Sequence, residues 1–182
     1  MIELKSPFSA EEIKNLRAGD AVSISGIIYT GRDAAHKRLC ELISFGKELP
    51  VDLADAGIYY VGPAPAKPGR IIGSAGPTSS YRMDPYSEPL LKEGLRVMIG
   101  KGPRSDEFKA LLQKYTAVYM SAIGGAAASI SESVKSCELV AYDDLGAEAI
   151  YRLEVENFFA IVTYDAHGGD LFEEGTKKYA KK

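Results

Sequence analysis

An abrupt change of hydrophobic period, repeated along the chain, constrains the fold more than any other feature. Val22-Ser23-Ile24-Ser25-Gly26-Ile27-Ile28-Tyr29 alternates and then runs continuously apolar, the pattern of a strand entering a core. From Asp33 the apolar residues Ala35, Leu39, Leu42 and Ile43 recur at helical spacing instead. Asp33 is placed to cap that helix and Gly46 to end it, so Arg32 falls at a strand-to-helix junction. Residues 56–61 read as a further strand before an extended proline-rich connector over 62–69. Residues 70–75 then read as a strand running into the Gly76-Pro77-Thr78 turn, and a short helix over 88–93 is ended by Gly94. Arg96-Val97-Met98-Ile99 is a buried-strand pattern, and Ser105 caps a helix with Phe108, Leu111, Leu112 and Tyr115 on one face. Residues 117–120 predict a strand, 124–134 a small-residue helix and 137–142 another strand. Two strands over 150–153 and 159–164 flank Glu156-Asn157, and a short helix begins near Asp170. This alternation predicts an α/β class with a mixed sheet, in which ligands sit beyond the carboxyl ends of strands.

The chemistry-bearing residues cluster at those ends. Gly31-Arg32-Asp33-Ala34-Ala35-His36, Gly76-Pro77-Thr78-Ser79-Ser80-Tyr81-Arg82-Met83-Asp84 and Gly100-Lys101-Gly102 each set a hydroxyl or a cation beside glycine or proline. Side chains and freed backbone N–H groups converge on an anion in such places. The common phosphate motifs nevertheless fail. Residues 94–102 have five positions between the glycines where a P-loop has four, and glycine where it needs Ser or Thr. Residues 100–105 lack the third glycine of a dinucleotide fingerprint, and no GxSxG nucleophile elbow is present.

Composition narrows the class further. At 182 residues one domain spanning 1–182 is expected, and the 46% apolar, 26% charged composition is that of a globular protein. No apolar run approaches the roughly 18 residues of a membrane span. The Met1-Ile2-Glu3-Leu4-Lys5 start lacks the basic and apolar regions of a secretory signal, so a cytoplasmic location is expected. A net charge of −3 argues against a general nucleic-acid binder. The two cysteines, Cys40 and Cys137, have no CxxC spacing and read as buried reduced thiols, too few for an iron–sulfur cluster. The two histidines, His36 and His167, lie far apart, so no metal site is expected on this chain.

Four ordered strings carry a resemblance to a known family. Gly31-Arg32-Asp33-Ala34-Ala35-His36-Lys37-Arg38, the Gly76 to Asp84 string, Ile99-Gly100-Lys101-Gly102 and Leu153-Glu154-Val155-Glu156-Asn157-Phe158 resemble the beta subunit, or carboxy-terminal region, of class I iron–sulfur fumarases and L-tartrate dehydratases. The resemblance runs in order over residues 4–172. It implies a swivelling β/β/α domain and a hydro-lyase that interconverts L-malate and fumarate. It also implies a partner alpha subunit carrying a [4Fe-4S] cluster whose open iron acts on the leaving hydroxyl, an active site between the subunits, and an alpha2-beta2 assembly. Under it Arg32, Arg82 and Lys101 bind the carboxylates of a C4 dicarboxylate, and Thr78 takes the place of the catalytic base.

The residue types suit those roles. Arginine's planar fork grips a carboxylate through two parallel hydrogen bonds, and lysine supplies a mobile point charge. An unperturbed hydroxyl is a weak base, so Thr78 either needs activation by the surrounding cations or relays a proton. Bland readings stand beside these. Arg32-Asp33 is also a plain surface pair at a helix start, Thr78 a turn residue and Lys101 a solvated loop lysine. His36, one helical turn beyond Arg32, either projects from the same side of the helix toward the ligand or is a structural or supporting group, and it is not counted as catalytic. L-tartrate dehydration, or a noncatalytic domain for small-anion binding or subunit contact, are the alternatives.

Overall fold

The computed structural model describes residues 1–122 and 127–180. Its first strand, β1 (Ile2–Lys5), pairs in parallel with β2 (Ala21–Thr30), and between them runs α1 (Ala10–Asn15). Ser9 and Glu12 close a capping box at the start of α1. β2 feeds α2 (Asp33–Ser44), and β3 (Gly57–Tyr59) follows in parallel beside β2. A 3₁₀ turn (Ser80–Met83) opens α3 (Asp84–Lys92), followed by β4 (Val97–Gly100), α4 (Asp106–Tyr115) and β5 (Val118–Ser121). Ser105 accepts a hydrogen bond from the Phe108 amide and caps α4 as the sequence predicts. The chain ends in α5 (Ala127–Ser133), β6 (Val134–Ala141), a 3₁₀ segment (Asp143–Glu148), β7 (Ile150–Tyr164) and α6 (Leu171–Tyr179).

The seven strands order as β1-β2-β3-β4-β5-β7-β6, parallel from β1 to β5 and antiparallel wherever β7 joins. β7 also pairs with β2, so the path β2-β3-β4-β5-β7 returns to its start and the sheet closes on itself. Alternating strand side chains then serve two cores. Tyr59, Val97, Ile99, Val118 and Met120 join β7's Leu153, Phe158 and Val162 in one cluster. Their sequence neighbours Ile58, Met98 and Tyr119 pack in a second cluster against Ala35 and Leu39 of α2, Leu90 of α3 and Leu112 of α4. The α/β class with a mixed sheet is therefore as the period changes predict.

Several local expectations are corrected. Residues 70–75 form no strand. Their backbone partner is the proline-rich connector, through Ala64 N to Ser74 O at 3.0 Å and Gly73 N to Ala64 O at 3.2 Å. Pro63, Pro65 and Pro68 have no N–H to continue a ladder. The two strands predicted around Glu156-Asn157 are one, because a bulge carries β7 through them. Between the pairs Ile24↔Phe158 and Gly26↔Val155 it gains one residue on β2, with Asn157 at φ 56°. Asn157 tolerates that left-handed conformation, and its N–H finds Ser25 Oγ at 3.2 Å. β1 and α1 were not foreseen, since four residues and six give little period to read. The helix expected over 124–134 is α5 over its latter part, with Val134 already in β6; residues 123–126 lie outside the described ones.

Candidate active site

Three neighbouring parallel strands end on the same side of the sheet and deliver the four predicted residues. β2 ends at Thr30, and the Gly31 amide donates to Tyr59 O at 3.1 Å, which fixes where Arg32 leaves the strand. Beyond β3, Val61 bridges Pro77 and the Thr78 amide donates to Tyr60 O at 2.7 Å. Lys101 follows β4 directly and forms a parallel bridge with Ser79. Arg82 rides on the 3₁₀ turn that continues from Ser80. Arg32, Thr78, Arg82 and Lys101 thus share the carboxyl end of β2, β3 and β4, the side on which parallel α/β sheets take their ligands.

Asp33 organises the two arginines. It does not cap α2, since Arg32 occupies the cap position without a side-chain bond; Asp33 is the first helical residue. Its carboxylate instead grips Arg82 in a two-pronged pair, with Nε donating to Oδ1 at 2.8 Å and Nη2 donating to Oδ2. Arg32 Nη2 stands 3.9 Å from the same Oδ2 and 3.2 Å from Glu148 Oε1. The hydrogen bonds from Arg82 hold the Asp33 carboxyl below the usual carboxylate range. Two guanidinium groups and two carboxylates therefore form one partly exposed network, and the Arg32 Nε within it is buried without a partner.

Thr78 and Lys101 form the second half. Ser80 is fully buried, and its amide donates to Lys101 O at 3.0 Å while the Lys101 amide donates to Ser80 Oγ at 3.0 Å. Gly100 has to be glycine here: an added Cβ would lie 1.9 Å from Ser80 Oγ. The backbones of the Thr78 and Lys101 loops are bound together, whereas the Thr78 hydroxyl and the Lys101 ammonium have no protein partner among the described residues. Both are therefore available to a ligand. The sequence pointed to both but not to Asp33, Glu148 and Ser80, which fix the geometry. Asp33 and Ser80 lay inside the strings already singled out; Glu148, more than 100 residues away, gave no signal.

His36 is not at the surface of this site. It is 1% exposed beneath Gly31, edge-on to Tyr60 at 5.2 Å between ring centroids. Its Nδ1 lies 2.8 Å from Arg32 O, an acceptor only, so the proton sits on Nδ1 and leaves Nε2 bare. Burial pushes its pKa down to about 4 from 6.5. The unfolded chain therefore binds a proton that the folded one refuses, and stability falls as pH drops from about 6.5 to about 4. The full loss is about 3 kcal/mol. Asp33, whose folded value is depressed, acts in a separate window below the unfolded carboxylate value. In urea melts at pH 7 and pH 4.5, the stability gap of His36→Gln is expected to shrink by about 2–3 kcal/mol relative to the parent chain. An unchanged gap would place the titration elsewhere.

The thiols offer no ligand set. Cys40 on α2 donates through Sγ to Tyr86 O at 3.4 Å, and burial raises its pKa to about 11. Cys137 lies apart on β6, its pKa also raised by burial. Among the described residues, no three or more His, Cys, Asp or Glu side chains gather where they could hold a metal ion. The donor set of this chain does not fit an iron–sulfur cluster. Nor is any helix among the described residues long and apolar enough to cross a membrane.

Fold and site together define an α/β domain that presents guanidinium groups, an ammonium and a free hydroxyl at neighbouring strand ends. The chain belongs to the Fumarase C-terminus family, whose model matches residues 1–175. It is 43% identical over 159 residues to the anaerobic class I fumarate hydratase of Escherichia coli, covering 86% of this chain and 29% of that protein. It is 38% identical to a putative class I fumarate hydratase of Geobacillus stearothermophilus, covering 100% of this chain and 35% of that protein. It therefore spans about a third of the length of these relatives. The putative L(+)-tartrate dehydratase subunit beta of Methanocaldococcus jannaschii is 38% identical over 178 residues and matches end to end, with 94% of this chain against 91% of that one. The named relatives are hydro-lyases, so the family is a hydro-lyase family.

Proposed function

We propose that this chain is the beta subunit of an iron–sulfur-dependent hydro-lyase that interconverts L-malate and fumarate. In this reading a partner alpha subunit holds a [4Fe-4S] cluster and acts on the leaving hydroxyl, and the two chains assemble as an alpha2-beta2 complex in the cytoplasm. This chain's own share is to bind the dicarboxylate and handle the proton. The observation that carries the reading is that a Thr78 hydroxyl and a Lys101 ammonium, without partners among the described residues, share neighbouring strand ends with two arginines. Arg32, Arg82 and Lys101 neutralise the two substrate carboxylates. Thr78 takes the proton from the carbon next to the one bearing the hydroxyl, directly or by passing it on. The cations lower the cost of the charge that develops there.

L-tartrate dehydration is the second reading, favoured by the end-to-end match to the tartrate dehydratase subunit beta. Anaerobic co-expression with a cluster-bearing partner subunit, followed by absorbance assays of fumarate from L-malate and oxaloacetate from L-tartrate, tests both. Turnover of malate supports the first and turnover of tartrate alone the second. Turnover of neither in a complex with an intact cluster leaves a noncatalytic anion-binding or subunit-contact domain. Activity of the chain alone would overturn the division of labour between two subunits.

Arg82→Lys tests the arginine fork. Lysine keeps the charge but cannot hold Asp33 with two parallel bonds and still face a ligand. KM for the dicarboxylate is expected to rise about ten- to a hundredfold, the value of one charge-assisted hydrogen bond, with a smaller change in kcat. A KM within twofold of the parent would remove Arg82 from the binding set.

A further inference from the structure

The Ser80 side chain lies within hydrogen-bond distance of both the Thr78 and the Lys101 backbones. Its Oγ accepts from the Lys101 amide at 3.0 Å, lies 3.3 Å from Thr78 O, and lies 3.0 Å from the hydroxyl of Tyr119 on β5. The Tyr119 hydroxyl in turn lies 3.0 Å from Gly102 O. Each hydroxyl has one proton, so the chain has two polarities. Either Tyr119 donates to Ser80 and Ser80 to Thr78 O, or Ser80 donates to Tyr119 and Tyr119 to Gly102 O. In both, the strand-end loops after β3 and β4 are tied to one buried hydroxyl anchored on β5. Burial raises the Tyr119 pKa, so the phenol keeps its proton. Its ring is fixed by stacking on Tyr164 and by the edge of Phe108.

We infer that Ser80, braced by Tyr119, is a positioning residue that sets the spacing of the Thr78 hydroxyl from the Lys101 ammonium. Ser80 is fully buried, so it reaches the chemistry only through the two loops it joins. The role rests on the hydro-lyase reading, because it supposes that Thr78 handles the proton and Lys101 a carboxylate. Arg32 and Arg82 are held by ion pairs to Asp33 and Glu148 that the Ser80 hydroxyl does not join. Loss of that hydroxyl therefore loosens Thr78 and Lys101 first, while the ion pairs of the guanidinium groups remain.

The test is Ser80→Ala, with Tyr119→Phe as a milder second variant and Ser80→Cys as a partial rescue. Two measurements are made on each. In the isolated chain, amide hydrogen exchange at Lys101 is expected to quicken in Ser80→Ala while amides of β4 and β5 stay protected. In the cluster-loaded complex, kcat is expected to fall up to about a hundredfold, the scale of an ångström-sized misplacement, with a smaller rise in KM from the loosened Lys101. Tyr119→Phe moves both in the same direction by less, and Ser80→Cys recovers part of kcat. Unchanged Lys101 exchange, or quickened exchange with kcat retained, overturns the inference. So does a kcat loss matched by an equal loss of folded protein. A parent complex with an intact cluster and no turnover sinks the hydro-lyase reading instead, and the positioning role falls with it. Exchange at Lys101 then still decides whether Ser80 ties the loops.

Discussion

Replacing Thr78 by alanine is expected to lower kcat of the assembled enzyme by about 10²- to 10⁴-fold, the range for losing a positioned proton-transfer group. Assembly and melting temperature should be almost unchanged. The reason lies in what Thr78 contributes to the fold. Its amide donates to Tyr60 O and its neighbour Pro77 bridges Val61, and both are backbone contacts that alanine keeps. Its hydroxyl holds nothing among the described residues. A hydroxyl that holds nothing among the described residues, on a loop that neighbours those of Lys101 and Arg82, has its use in a ligand. Turnover and size-exclusion profiles of the Thr78→Ala complex, compared at equal cluster content, check this. Turnover within fivefold of the parent would show that the proton goes elsewhere.

Thr78→Ser separates the two ways the hydroxyl can act. Serine keeps the oxygen but lacks the methyl that restricts rotation, so a group that needs one fixed orientation loses part of its rate and a freely rotating relay loses little.

Legibility in the sequence followed the range of the interactions. Strand-to-helix period changes are local, so β2 with α2 and β4 with α4 could be read where they lie. The cations and Thr78 were legible because glycine and proline punctuate the ends of these strands. Asp33 was legible as a helix start but misassigned as a cap, because its real partner, Arg82, is 49 residues away. Closure of the sheet was not legible at all. It depends on β7 pairing with β2 across more than 100 residues, and on a bulge at Asn157 that a two-residue period reads as a break. The failure at 70–75 has the same origin. A strand pattern becomes a strand only if a partner can donate to it, and the partner supplied was rich in proline.

Arg104 was not singled out by sequence at all, yet its truncation is expected to destabilise the fold strongly. Its side chain is fully buried. Nε donates to Asp84 Oδ1, Nη2 donates to Ser87 Oγ at 3.1 Å, and the guanidinium lies over the Phe108 ring at 3.4 Å from the centroid. Tyr119 and Tyr60 flank it at 5.1 and 5.5 Å. Asp84 uses its other oxygen to accept from the Ser105 amide at 2.9 Å, so one ion pair ties the start of α3 to the cap of α4. Arg104→Ala leaves a poorly solvated carboxylate and a void among three rings, and is expected to cost about 3–5 kcal/mol. The loss should belong mainly to the stranded charge. Arg104→Met combined with Asp84→Asn removes both charges and refills the void, and is expected to recover most of it, as neutral replacements of buried ion pairs do. Urea unfolding of Arg104→Met, of Asp84→Asn and of the double variant gives the coupling energy directly. A double variant as unstable as Arg104→Ala would mean that the aromatic cage, and not the ion pair, holds Arg104 in place.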